Sequence, residues 1–227
     1  FVLPWFGGSA GVWAAALLFF QLFLLFGYLY AHLITTWLDA RGQAFAHLGL
    51  LAVALLALPI IPSPAWKPTT TDNPVLNIIL LLAVTVGAPY LLLAANGPLL
   101  QGWFARQFPG RSPYRLYALS NIASLAALLS YPATVERLLP LRAQAWLWTG
   151  AYVLFTALCA LIAYGQLREA RRTASNPVST PAGPALELPA EPVSPIRIAL
   201  WLLLPAVASA LLLATTNRLT QEIAPVP

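Results

Sequence analysis

Charge is scarce in this chain. Of its 227 residues only 8% are Asp, Glu, Lys or Arg, while 59% are hydrophobic and the mean hydropathy is +0.75. So little charge does not coat a soluble globule. Methionine is absent, and cysteine occurs once, as Cys159. A single cysteine excludes an intrachain disulfide and any cysteine-based metal cluster. None of the seven acids lies inside an apolar run, so the carboxylate that couples a proton to transport is missing. Glycine-rich nucleotide loops of the GxGxxG or GxxxxGK type are missing as well. These absences weigh against an enzyme and against a complete secondary transporter, and no metal or cofactor is predicted. With no methionine and an end at Ala224-Pro225-Val226-Pro227 directly after an apolar run, the chain reads as an internal piece of something longer.

What is present is a series of apolar runs long enough to cross a bilayer. The first extends from about Ala10 to Ile34, interrupted among strongly polar residues only by Gln21 and His32. A turn with Asp39, Arg41 and Gly42 leads to a second, about Phe45 to Ile61, closed by Pro62-Ser63-Pro64. The third, about Val75 to Ala95, contains Gly87 and Pro89, and the breaker triplet Asn96-Gly97-Pro98 ends or bends it. Residues 99–115 are amphipathic and basic, with Arg106, Arg111 and Arg115 beside Trp103, Phe104 and Phe108, and read as an interfacial segment. A shorter fourth run covers about Leu116 to Tyr131, and a fifth, rich in aromatics, about Ala143 to Leu167. Residues 168–195 form a proline-rich linker, and a sixth span starts at Ile196. The expected organisation is thus a five-span membrane region over 1–167, a linker over 168–195, and the sixth span with its end over 196–227. No alternation of the strand type supports a barrel, so the fold class is an all-α, polytopic helical bundle.

The basic residues orient it. Arg41, Arg106, Arg111, Arg115, Arg168, Arg171, Arg172 and Arg197 flank the loops after the odd-numbered spans, against Lys67, Arg137, Arg142 and Arg218 on the other side. Loops 36–44, 99–115 and 168–195 are therefore expected on the cytoplasmic side of the membrane, with residue 1 outside. Because the basic residues flank apolar runs, the net charge of +5 implies topological anchoring and not a nucleic-acid partner.

Polar residues within the runs have two readings each. Ser120, Asn121 and Ser124 lie three and four apart on one helix face, which makes either a polar site at membrane depth or the glue between helices. Gln21 belongs to the same class of intramembrane contact. Gly87, Pro89 and Asn96-Gly97-Pro98 mark either a broken helix of the transporter kind or an ordinary kink. His32 and His47 bracket the first turn, as haem or chlorophyll ligands or as interface residues that hydrogen-bond at headgroup level. Trp103, Phe104, Arg106, Arg111 and Arg115 make a docking segment for anionic lipid or for a partner, each cation contributing roughly 1 kcal/mol at such a surface. Expected partners are the bilayer itself and other membrane helices.

Three stretches carry a resemblance. They are Leu3-Pro4-Trp5-Phe6-Gly7-Gly8-Ser9-Ala10-Gly11-Val12-Trp13 with the Gln21 and Gly27–His32 segments behind it; Gly97-Pro98-Leu99-Leu100-Gln101-Gly102-Trp103-Phe104 with Ser112 to Asn121; and Thr216-Asn217-Arg218-Leu219-Thr220-Gln221-Glu222. In this order they resemble the membrane region of the bacterial fused MFS/spermidine synthase family. The resemblance implies a membrane anchor or scaffold, non-catalytic in itself, preceding an aminopropyltransferase-like domain none of whose residues occur here. Gly102 to Arg111 resembles the G-x-x-x-D-R-x-G-R loop of the MFS, with Ala105 at the aspartate position. Two further readings stay open: an accessory subunit of a respiratory or photosynthetic membrane complex, motivated by eight Trp and ten Phe, and a transporter domain for polyamine-type molecules.

Overall fold

The computed structural model describes residues 5–63, 66–67, 74–108, 110–111, 114–175 and 194–222. Among the described residues all regular elements are helical and no strand occurs. In order they are α1 (Ala10–Trp37), α2 (Ala40–Leu55), α3 (Pro74–Gln107), α4 (Tyr114–Ser130, carried through Tyr131–Val135 to Leu138), α5 (Leu141–Ser175) and α6 (Pro195–Glu222). Five of these are long and apolar enough to cross a membrane. The sixteen residues of α2 reach only about 24 Å, short of a hydrocarbon core of about 30 Å.

Helix boundaries follow local chemistry. Asp39 starts α2, its Oδ1 accepting the Gly42 N–H at 2.9 Å, five residues before the apolar run becomes continuous. The α2 helix ends at Leu55 instead of Ile61, because Pro59 disfavours helical backbone at Leu58. At the other end of the chain, α5 passes the expected end at Leu167 and continues to Ser175. Residues 168–175 contain Arg, Glu and Ala and no proline, so nothing stops the helix before Pro177. The proline-rich stretch 176–193 and residues 223–227 lie outside the described residues.

α3 is the central helix. A π-helical turn at Ala83–Gly87 divides it, just before Pro89, whose missing N–H leaves the Thr85 carbonyl without its helical donor. Beyond that turn it passes straight through Asn96-Gly97-Pro98 to Gln107, so the triplet does not end it, and residues 99–107 are its last turns. Burial explains the continuation: Leu99 and Trp103 are both packed inside, which offsets the one hydrogen bond that Pro98 removes.

Three helices pack on α3. α1 runs parallel to it, with Val12, Ala15 and Phe19 against Ile78 and Leu82, then Ala31 and Ile34 against Ala95 and Leu99. The two backbones approach closely at Gly27, where a Cβ would lie 2.7 Å from the Ala94 Cβ. α2 and α5 pair antiparallel on another side, joining Ala44 to Ala163 and Leu51 and Ala54 to Tyr152 and Cys159. By contrast, no residue in the most apolar stretch of α4 or of α6 is buried.

Candidate functional site

Two polar assemblies arise where these helices meet. The first is built on Gln43, the first fully buried residue of α2. Its Oε1 accepts the indole N–H of Trp103 at 3.0 Å and a guanidinium N–H of Arg106 at 2.7 Å, while its Nε2 donates to the Leu38 carbonyl at 2.8 Å. One amide thereby joins the α1–α2 turn to the end of α3. Trp103 is only 4% exposed, so it faces the bundle core and not lipid, and Arg106 is held by the same amide. Trp103 leaves the expected docking surface for this reason, while Arg106 stays exposed. With Arg106, what remains outside is Phe104, half-buried with its ring 5.0 Å from that of Phe108, and the exposed Arg111 and Arg115. The Arg111 guanidinium stacks over Phe108 at 5.6 Å, in a turn closed by the Arg111 N–H to the Phe108 carbonyl and permitted by Gly110 at φ 80°.

One helical turn above Gln43, His47 is 2% exposed. Its Nδ1 lies 3.4 Å from the Tyr30 hydroxyl, and the two rings stack with centroids 6.0 Å apart. His32 is exposed instead, so the two imidazoles do not share an environment. Nearby, the Cys159 thiol donates to the Asn96 Oδ1 at 3.5 Å. His47 Nε2 and the Tyr152 hydroxyl are buried without a hydrogen-bond partner among the described residues.

The second assembly is a cleft of about 680 Å³ between α1, α3 and α4. α1 contributes Leu24 and Tyr28. From α3 come Leu93, Ala94, Asn96, Gly97, Pro98, Leu100 and Gln101, and from α4 Leu116, Tyr117, Leu119, Ser120, Asn121 and Ala123. The structure thus brings Asn96, Gly97 and Pro98 together with Ser120 and Asn121, groups that the sequence offered separately. Ser124, a turn beyond Asn121, is exposed and does not line the cleft; Gln21 is exposed on α1 and also lies apart from it. Gly87 and Pro89 are both buried at the π turn, away from the cleft.

The cleft is lined by no charged side chain. Its chemistry is that of three amides, a serine hydroxyl and two phenols set among leucines and alanines. Pro98 adds an acceptor, because it cannot supply the N–H that would close on the Ala94 carbonyl. Among the described residues the side chains of Gln101, Ser120 and Asn121 have no hydrogen-bond partner. Ser120 and Asn121 are exposed and Gln101 is half-buried, so these groups are open to a hydrogen-bonding partner.

Gln43 and Gln101 escaped the reading of the sequence. Gln43 carries a signal that was there to be used: it stands four residues before His47, on the same face of the same helix. Gln101 has none, since one glutamine near the end of an apolar run is ordinary.

Compared with known proteins, the chain matches no family model, no curated protein and no solved structure.

Proposed function

We propose that this chain is the non-catalytic, membrane-embedded region of a larger bacterial protein and serves as its helical anchor and scaffold in the inner membrane. The observation that carries this reading is the contrast between α3, wrapped by three helices, and α4 and α6, long enough to span yet without a buried residue in their most apolar stretches. α6 touches the remainder of the bundle along α1 only lightly and presents Trp201, Leu202 and Leu204 outwards. Two whole spans are free to meet lipid or further helices, as a scaffold requires. The resemblance to the fused MFS/spermidine synthase family fits this role, with the aminopropyltransferase-like part outside this chain. In this reading residue 1 faces outwards and the turns at 36–44 and 99–115 face the cytoplasm.

A second reading, a transporter domain, draws on the meeting of Asn96 and Asn121 in one cleft. The uncharged lining disfavours polyamine-type cations, which call for a carboxylate at membrane depth. The deciding experiment is extraction from native membranes in mild detergent, followed by sizing, mass spectrometry and an absorption spectrum of the same peak. A colourless peak with only the parent polypeptide is the expected result. Co-migration with a haem- or pigment-bearing complex would overturn the anchor reading in favour of an accessory subunit.

A further inference from the structure

The cleft has a direction. The lining pairs the end of α3 with the start of α4, so the end of the cleft formed by Gln101, Leu116 and Tyr117 adjoins Arg115. The opposite end is formed by Leu24, Leu93 and Ala123 and carries no polar side chain. Between them, Asn121 stands six residues, about 9 Å, along α4 from Arg115. From one end to the other the lining therefore changes from cationic rim, through amides and hydroxyls, to hydrocarbon. A bound molecule matched to this order has an anionic head, a neutral layer that accepts hydrogen bonds, and an apolar tail.

We infer that the cleft is a binding site for one anionic diacyl glycerophospholipid, with its phosphate at Arg115 and Arg111, its ester carbonyls on the Gln101, Ser120 and Asn121 side chains, and its acyl chains leaving past Leu24 and Leu93. Chemistry favours this class at each level. The uncharged wall rejects a free ion, which would lose its hydration without compensation. Ester carbonyls are acceptors only, and amide NH2 and serine hydroxyl groups are donors of the right kind. The span from Leu93 to Gln101, about 12 Å along the helix, covers a glycerol-ester layer and the first methylenes of the chains, which then continue into the bilayer. Arg111 and Arg115, both exposed, the second in the first turn of α4, supply the positive charge that a neutral lipid does not use.

The test is native mass spectrometry of the full chain in mild detergent, with phosphatidylglycerol and phosphatidylcholine added in equal amounts. Wild type is expected to hold one phosphatidylglycerol in preference to phosphatidylcholine. Arg115→Gln should lower its occupancy about fivefold, the effect of one basic residue at an anionic surface. Gly97→Leu should abolish it, because Gly97 lines the cleft and has no atom within 4 Å of a Cβ, so the new side chain fills the space without striking the helices. Asn121→Leu, which preserves an apolar helix, should weaken retention in parallel and serves if Gly97→Leu changes the elution volume or the circular dichroism. Equal retention of both lipids, capture of detergent alone, or unchanged phosphatidylglycerol in the folded variants would overturn the inference.

Discussion

The indole N–H of Trp103 donates to the Oε1 of Gln43 at 3.0 Å across sixty residues of chain, and both side chains are buried. Gln43→Leu removes the acceptor and leaves that N–H without a partner in an apolar interior. The expected loss is about 1–3 kcal/mol of stability. Thermal unfolding in detergent should show it, and Trp103→Phe in the Gln43→Leu background should restore part of it, since the stranded donor is then gone. Equal stability of wild type and Gln43→Leu would show that the bond contributes nothing.

Gly87 meets Phe23 so closely that a Cβ would stand 2.7 Å from the Phe23 Cε1. Gly87→Ala is expected to destabilise the bundle by about 1–3 kcal/mol through overpacking. Phe23→Leu should relieve it in the double variant. Gly49→Ala, with nothing within 4 Å, is the comparison, expected to be neutral or mildly stabilising. Unfolding midpoints of the four proteins decide the matter.

Tyr152 is 2% exposed and its hydroxyl has no partner among the described residues. Tyr152→Phe deletes the hydroxyl while keeping the ring that stacks on Trp148 at 5.3 Å. The variant should be more stable by about 1 kcal/mol. A clear fall in its unfolding temperature would mean that the hydroxyl is satisfied in the membrane after all.

Sidedness is open to direct measurement. In a Cys159→Ala background, Lys67→Cys should react with an impermeant thiol reagent added to intact cells, and Arg111→Cys only after the membrane is opened. The reverse pattern would invert the orientation drawn from the arginines.

Much of the helix order was legible because apolar runs and their interruptions are visible in one dimension. The turn between α1 and α2 announced itself through Asp39 and Gly42, and the run in α6 needed no context. Which face of each helix points inwards was much less legible. In lipid both faces are apolar, so Leu80, exposed, and Leu81, buried, look alike in sequence. Local rules also misjudged Pro98 as a possible helix end, since its breaking tendency is opposed by tertiary burial of Leu99 and Trp103, one turn apart on the same face. Trp103 looks lipid-facing in one dimension for the same reason, although its indole is buried against Gln43. The cleft was half legible: Asn121 and Asn96 stood out singly, while their meeting depends on how α4 folds back across α3.

The wide turn at Ala83–Gly87 has a consequence for how this chain tolerates change. An α-helix advances about 100° per residue, and a π turn holds one residue more than its neighbours. Deleting one residue there would let the turn close as ordinary α-helix, so the last twenty residues of α3 would keep their phase. The same deletion in the α-helical stretch just beyond Pro89, with no wide turn to absorb it, would rotate the residues after it by more than a quarter turn, carrying Trp103 away from Gln43 and Asn96 away from Cys159. Position thus decides what a one-residue gap does to this helix: the wide turn absorbs it, and the stretch beyond does not.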